Sequence, residues 1–189
     1  MKHLLPYCML FAMVLSCGSN KVFTEQDNKD YQKLQDLVAS KSFEIVSNSA
    51  MPIASASFSK VANSRILGPG NSAGNIDISS NSNRLVVKGD SIRGFLPFYG
   101  DQNFGGGYNR NHSGIEFNAI PEDYKVSLDD KKHAVNIRFK IADQYRSSER
   151  YDIIITLYPN HKSNIRVQST NRSSIEYTGR VSKLEDAKE

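Results

Sequence analysis

Residues 134–141 read Ala134-Val135-Asn136-Ile137-Arg138-Phe139-Lys140-Ile141, so apolar and polar side chains alternate along the stretch. Strict alternation over about four to eight residues is typical of a β-strand with one buried face. The same period of two occurs elsewhere, at apolar positions Ile115 and Phe117; Tyr124, Val126 and Leu128; Tyr151, Ile153, Ile155 and Leu157; Ile165 and Val167; and Ile175 and Tyr177. Such strands predict an antiparallel sheet whose outer face lies in water.

Short, turn-forming connections join these segments, among them Lys88-Gly89-Asp90, Asp129-Asp130-Lys131, Pro159-Asn160-His161 and Thr170-Asn171-Arg172. Connections of this kind favour strands that pair with their neighbours in sequence. We therefore predict a mainly β domain, built as a single strongly twisted antiparallel sheet or a half-open barrel of about nine or ten strands. No second helix of any length is expected after the N-terminal one.

That N-terminal helix is predicted over about residues 25–40. Thr24 is suited to the N-cap position, and Asp27 follows three residues later. The apolar positions recur at helical spacing on one face: Tyr31, Leu34, Leu37 and Val38. This pattern predicts an amphipathic helix that packs against the concave face of the sheet or against one open end.

The chain begins with MKHLLPYCMLFAMVLSC, which is typical of a bacterial lipoprotein signal peptide. Lys2 is the positive charge, residues 4–15 are too short to span a membrane stably, and Cys17 ends the segment. We expect residues 1–16 to be removed and Cys17 to carry acyl chains such as palmitate. An uncleaved anchor, an ordinary secretory signal and a buried helix are the alternatives. Residues 17–24 then form a lipidated tether, 25–182 one β-rich domain, and 183–189 a charged tail.

Lipidation would place the protein in the cell envelope, held on the membrane by its acyl chains. Residues 18–21 lack an acidic run of the kind that resembles a surface-export signal, which favours the periplasmic face of the outer membrane. Both cysteines, Cys8 and Cys17, would be removed or lipidated, so no disulfide and no thiolate metal site is expected. The 24 basic and 20 acidic residues form no dominant block, which argues against a nucleic-acid partner.

The best candidate binding surface is the glycine-rich region Leu96–Gly114, together with Phe95 just before it. Its aromatic side chains are Phe95, Phe98, Tyr99, Phe104 and Tyr108. Aromatic side chains on a glycine-rich loop can close over a ligand. The alternative is structural, with Phe98 and Tyr99 filling the end of the sheet.

Three motifs give the chain a family resemblance: Leu96-Pro97-Phe98-Tyr99-Gly100, Gly114-Ile115-Glu116-Phe117 and Asn171-Arg172-Ser173-Ser174-Ile175-Glu176-Tyr177-Thr178-Gly179. Together they resemble the Bacteroidota lipoproteins grouped as domain-of-unknown-function family 4251, in which the first motif reads Leu-Pro-Tyr-Phe-Gly. The two aromatic residues are exchanged here. The resemblance covers about residues 30–182 and implies an exported, mainly β lipoprotein domain. It implies no activity.

Two further positions are candidate sites. Arg172 could present a guanidinium to an anionic ligand, although its segment also fits a hairpin turn whose side chains bond their own backbone. Asp90-Ser91-Ile92 resembles a short O-glycosylation signal of exported Bacteroidota proteins, so Ser91 is a candidate for modification. The alternative is a turn that Asp90 stabilises.

The sequence shows no catalytic motif. His112, His133 and His161 lie in separate predicted turns, and no nucleophile elbow or paired-carboxylate pattern is present. We expect no catalytic residue, no metal and no cofactor.

Three functions remain open. The first is a lipid-anchored binding or interaction module whose partner is a hydrophobic molecule, a glycan or another envelope protein. The second is a carrier of lipids or lipoproteins with a helix-covered half-barrel, which requires a sizeable apolar cavity. The third is a hydrolase, which requires several polar side chains to converge in a cleft.

Overall fold

The computed structural model describes residues 23–53, 55–63, 67–102 and 113–185. These residues form helices α1 (Glu25–Ala39) and α2 (Ala56–Asn63). The strands are β1 (Ser42–Pro52), β2 (Ile76–Asp77), β3 (Arg84–Lys88), β4 (Ser91–Leu96), β5 (Ile115–Ala119), β6 (Glu122–Asp129), β7 (Ala134–Ala142), β8 (Arg150–Leu157), β9 (Lys162–Ser169) and β10 (Ile175–Lys183). The predicted mainly β fold and strand number are confirmed.

All ten strands belong to one antiparallel sheet in the order β5-β4-β3-β1-β10-β9-β8-β7-β6, and β2 pairs with β1 beside this path. The terminal strands β5 and β6 are adjacent in sequence, with only Ile120 and Pro121 between them. A sheet whose two outer strands belong to one continuous segment must curl back on itself. The result is a half-barrel, and the Gln144 N–H strengthens its closure by donating to the carbonyl of Glu116 at 2.8 Å.

The inward-facing side chains fill the half-barrel. Those of β7 and β8 are fully or almost fully buried, and Phe117 of β5 lies across the interior with its ring 6.4 Å from that of Phe139 and 6.2 Å from that of Tyr151. Gly94 of β4 faces inward and lies opposite Phe117 of β5. A Cβ on Gly94 would overlap the Phe117 ring. The missing side chain at Gly94 is therefore what makes room for the aromatic core.

A β-bulge in β1 explains the glycine in the middle of β10. The register between these central strands shifts between Ser47 and Ser49, where Gly179 lies opposite Ser47. A Cβ on Gly179 would overlap the Val46 carbonyl oxygen and lie 2.6 Å from the Cα of Ser47. The close approach of two backbones requires a residue without a side chain.

The side chain of Asn83 bonds the backbone next to the same bulge. Its Oδ1 accepts from the N–H of Ser47 at 2.7 Å, and its Nδ2 donates to the carbonyls of Ser47, Asn81 and Ile78 at 2.9, 3.1 and 3.3 Å. Asn83 is buried, so these bonds replace the water that the backbone groups have lost.

Helix α1 begins as predicted. Thr24 is its N-cap, and a capping box joins the Thr24 side chain to the N–H of Asp27 and the Asp27 side chain to the N–H of Thr24. The helix packs against β1 and β7 at the end of the sheet where both strands begin. Tyr31, Leu34 and Val38 are buried there.

The expectation of no second helix is wrong. Residues 56–63 form α2, in which the Ser55 hydroxyl accepts from the N–H of Phe58 at 3.0 Å and so satisfies a free N-terminal donor. The segment is rich in alanine and serine and too short for a clear apolar stripe. Among the helices of residues 23–53, 55–63, 67–102 and 113–185, none has the length and apolar character of a membrane-spanning segment.

Candidate ligand-binding cleft

The predicted aromatic surface is divided in the structure. Phe95 points outward from β4 and is 42% exposed, whereas Phe98 and Tyr99 are half-buried and pack against the core. Phe104 and Tyr108 lie outside the described residues. Of the three aromatic side chains of this surface that the structure describes, Phe95 is the exposed one.

Phe98 and Tyr99 are held in place by neighbouring segments. The ring of Phe98 lies 5.0 Å from the guanidinium carbon of Arg172, and the Tyr99 hydroxyl accepts from Nδ2 of Asn81 at 3.3 Å. Both side chains fill space at the end of the sheet where β4 ends.

Phe95 lines a cleft of about 500 Å³ on the outer face of the half-barrel. The lining side chains come from β3, β4, β5 and the β7–β8 connection: Ser82, Arg84, Val86, Arg93, Phe95, Glu116, Asn118, Gln144 and Tyr145. Tyr145 is 51% exposed, so two accessible aromatic side chains share a cleft with polar side chains. We call this surface the outer cleft.

The strand register assembles the outer cleft. Phe95 lies opposite Arg84 on one neighbouring strand and Glu116 on the other, and directly opposed residues of an antiparallel pair share a face. Arg93 lies opposite Asn118 on the same face. Within the described part of the chain, no acidic side chain forms an ion pair with Arg93.

A tight turn positions Tyr145 at the rim of the outer cleft. The carboxylate of Asp143 accepts from the backbone N–H groups of Tyr145 at 2.9 Å and Arg146 at 2.8 Å. Its other oxygen accepts from the Tyr151 hydroxyl at 2.6 Å. Burial, and then this hydrogen bond, raise the pKa of Tyr151, so the phenol stays neutral and keeps donating.

Arg172 is buried beneath the outer cleft and paired with Glu149. Its Nε lies 2.8 Å from Oε1 of Glu149, without hydrogen-bond geometry, and a terminal nitrogen donates to Oε2 at 3.2 Å. The other terminal nitrogen donates to the carbonyls of Ser113 and Gly114, each at 2.9 Å. Arg172 thus secures the chain just before β5, and both charged side chains are 1% exposed.

Glu149 itself has two further partners. Its carboxylate accepts from the Ser169 hydroxyl at 2.8 Å and lies 3.2 Å from a guanidinium nitrogen of Arg146. The sequence analysis missed Glu149, Asp143 and Tyr145. No spacing rule links Glu149, just before β8, to Arg172, which follows 23 residues later in the connection between β9 and β10.

The other candidate positions do not adjoin the outer cleft. Ser91 is exposed at the start of β4, opposite Lys88. His133 is buried, with ring centroids of Phe23 and Tyr31 at 3.4 and 4.7 Å, and His112 lies outside the described residues. Among the residues that the structure describes, no three histidine, cysteine or acidic side chains are grouped to hold a metal ion.

Comparisons with known proteins agree with this architecture. No curated protein matches the sequence. A crystal structure of a DUF4251 family protein from Bacteroides eggerthii DSM 20697, determined at 1.95 Å, superposes with a TM-score of 0.52 at 16% identity, covering 84% of this chain and 90% of that chain. This likeness concerns the fold. The family model described as "Domain of unknown function (DUF4251)" matches residues 25–181. The chain therefore belongs to the DUF4251 family, as the sequence motifs predicted.

Proposed function

We propose that this protein is a lipid-anchored, non-catalytic binding protein of the cell envelope, and that the outer cleft binds its ligand. The observation that carries the proposal is the pair of accessible aromatic side chains, Phe95 and Tyr145, on a cleft of about 500 Å³ with polar neighbours. A cleft of this volume is large enough for a small-molecule ligand, and its mostly polar lining fits a polar ligand better than an apolar one.

The lining favours a glycan over the other two partners that the sequence left open. A sugar ring has an apolar face of C–H groups, which packs on an aromatic ring, and a rim of hydroxyls that need donors and acceptors. Phe95 and Tyr145 supply the aromatic surfaces. Arg93 supplies donors only, whereas Asn118 and Gln144 supply both a donor and an acceptor.

The position of the outer cleft fits an anchored protein. The described chain begins at Phe23, whose ring stacks on His133 just before β7. Gln144 and Tyr145 follow the opposite end of this strand, which is nine residues long and so spans about 30 Å. A tether from Cys17 would therefore join the domain at the end away from the outer cleft, which leaves the cleft accessible above the membrane.

The polar side chains beneath the cleft support binding without catalysis. Arg172 and Glu149 are buried and paired with each other, and the buried Asp143 accepts from the Tyr151 hydroxyl, so the polar atoms of all three are engaged within the protein. The filled interior likewise supports a binding module over a carrier. The inward positions of β7, β8 and β9 are essentially inaccessible.

A glycan array tests the ligand class. We would use residues 20–189, which retain every described helix and strand, on arrays of bacterial envelope and mucin-type glycans. Phe95→Ala and Tyr145→Ala should each reduce binding at least tenfold. Ile53→Ala, which truncates an apolar residue that is 64% exposed just after β1 and does not line the outer cleft, should leave it unchanged. Binding that survives both aromatic substitutions, or no binding to any glycan, would reject the outer cleft as a glycan site.

Mass measurement tests the anchor. Protein purified from the envelope of an expressing Bacteroides strain should begin at Cys17 and carry acyl chains, and it should fractionate with the outer membrane on its periplasmic face. Cys17→Ser should abolish the acylated species. A chain that retains Met1, or one that starts without lipid, would refute the anchor and leave the outer-cleft experiment unaffected.

A further inference from the structure

A second groove lies at the opposite end of the half-barrel, between the C-terminal half of α1 and the inner face of β6. It has a volume of about 340 Å³. Its apolar lining consists of Val38, Ala39, Tyr124, Val126, Leu128 and Val135. We call it the seam groove, because among the described strands β6 bonds only β7 and has no strand along its other edge.

The apolar side chains of β6 face the interior and are nevertheless accessible. Val126 lies opposite Ile137, and Leu128 lies opposite Val135, so both share the buried face of β7. They were predicted to face inward, but Val126 is 46% and Leu128 is 52% exposed, since among the described strands none lies along the other edge of β6 to cover them. Inward-facing valine and leucine side chains with this exposure leave an apolar channel open to solvent.

Polar groups lie at one end of the channel. Lys41 and Tyr124 line the seam groove and also a neighbouring pocket of about 260 Å³, so they separate the two. The Lys41 Nζ lies 6.0 Å from the centre of the Tyr124 ring and forms an exposed ion pair with Asp90 at 2.7 Å. An exposed pair of this kind contributes little stability, so another anion can take the place of Asp90.

Tyr124 provides an independent observation that points to a ligand. Its hydroxyl is buried and has no hydrogen-bond partner within the described part of the chain. Buried hydroxyl groups are nearly always bonded, since an unpaired one loses its bonds to water without replacement. Burial also raises the pKa of Tyr124, so the group remains a donor at neutral pH.

We propose that the seam groove binds a fatty acid, with the alkyl chain along Val126 and Leu128 and the carboxylate near Lys41 and the Tyr124 hydroxyl. The apolar lining matches an alkyl chain, and the ammonium and the unpaired hydroxyl match a carboxylate. This site does not depend on the outer cleft, which lies on the other face of the sheet and at its other end.

The test is calorimetric titration of residues 20–189 with octanoate, decanoate and dodecanoate, each below its micelle concentration. Each added methylene should tighten Kd about fourfold until the groove is filled. Dodecanol should bind more weakly than dodecanoate. Lys41→Gln should remove that preference. The substitution removes the positive charge that attracts the carboxylate of dodecanoate but not the neutral hydroxyl of dodecanol.

Two matched substitutions separate the groove from general surface adsorption. Val126→Asp places a carboxylate in the seam groove, whereas Val46→Asp places one on the outer face at 48% exposure. We expect Val126→Asp to weaken dodecanoate binding at least tenfold and Val46→Asp to leave it unchanged. Melting curves of both variants should match that of the parent, because both sites are open to solvent.

Three results would overturn the proposal: no dodecanoate binding by the parent, equal binding by both aspartate variants, or no change with chain length. A concentration-dependent dimer that Val126→Asp disrupts, without dodecanoate binding, would also overturn it. That result would assign the groove to a second copy of this chain.

Discussion

Arg172→Met tests whether the buried ion pair holds the fold together at the outer-cleft end. The substitution keeps much of the apolar stem but leaves the Glu149 carboxylate buried, with Arg146 and Ser169 as its remaining side-chain partners among the described residues. It also removes both hydrogen bonds to the backbone before β5. Breaking a buried pair on one side costs about 3–5 kcal/mol, which for a chain of this size lowers Tm by roughly 6–20 °C.

The control is a solvent-exposed ion pair with the same nitrogen–oxygen distance. Arg150 and Glu122 lie 2.8 Å apart, as Arg172 and Glu149 do, but are 52% and 61% exposed. Arg150→Met should therefore cost no more than about 1 kcal/mol. Urea unfolding followed by far-ultraviolet circular dichroism at pH 7 measures both free energies of unfolding.

A double substitution identifies the source of the cost. Adding Glu149→Gln to Arg172→Met removes the unpaired buried charge, so we expect it to recover part of the lost stability. The reasoning is refuted if Arg172→Met and Arg150→Met cost the same within about 0.5 kcal/mol, or if the double variant is less stable than Arg172→Met.

Three further predictions follow from the core. Folding raises the pKa of Tyr151 and Tyr177 through burial, so the contribution of these two tyrosines to the free energy of unfolding should be constant up to pH about 10 and fall above it, by up to about 1.4 kcal/mol per pH unit for each tyrosine; urea titrations from neutral pH upward measure this. Gly179→Ala should cost about 1–3 kcal/mol because its Cβ meets backbone, whereas Gly74→Ala, with open space around it, should be neutral by the same assay. Asn83→Ala should lower Tm by an amount equivalent to about 1–3 kcal/mol, since it leaves buried backbone groups beside the bulge unpaired; an unchanged Tm would contradict this.

The local structure could be predicted from the sequence, because it depends on residues close together in the chain. The alternation at residues 134–141 identified β7, and Thr24 with Asp27 identified the start of α1. Helix α2 was missed because eight residues carry too little periodicity to separate a short helix from a loop.

The candidate site could be predicted only in part, because it depends on which strands become neighbours. Phe95 was identified from its loop, but Tyr145 reaches the same cleft from the β7–β8 connection, far away in sequence. Val126 and Leu128 were expected inside the core. Their period of two was correct, but periodicity does not reveal that β6 is the last strand of the sheet, so that its inward-facing side chains stay open to solvent.

The pairing of β1 with β10 places the first long strand and the last strand side by side at the centre of the sheet. During synthesis, Ser42 at the start of β1 is added more than a hundred residues before Ile175 at the start of β10. The nascent polypeptide therefore cannot complete its central hydrogen-bond ladder until almost all of it has emerged, and relaxation to the native state should be slow for a domain of this size. Loss of only the C-terminal dozen residues would remove most of β10 and leave the middle of the sheet without its partner.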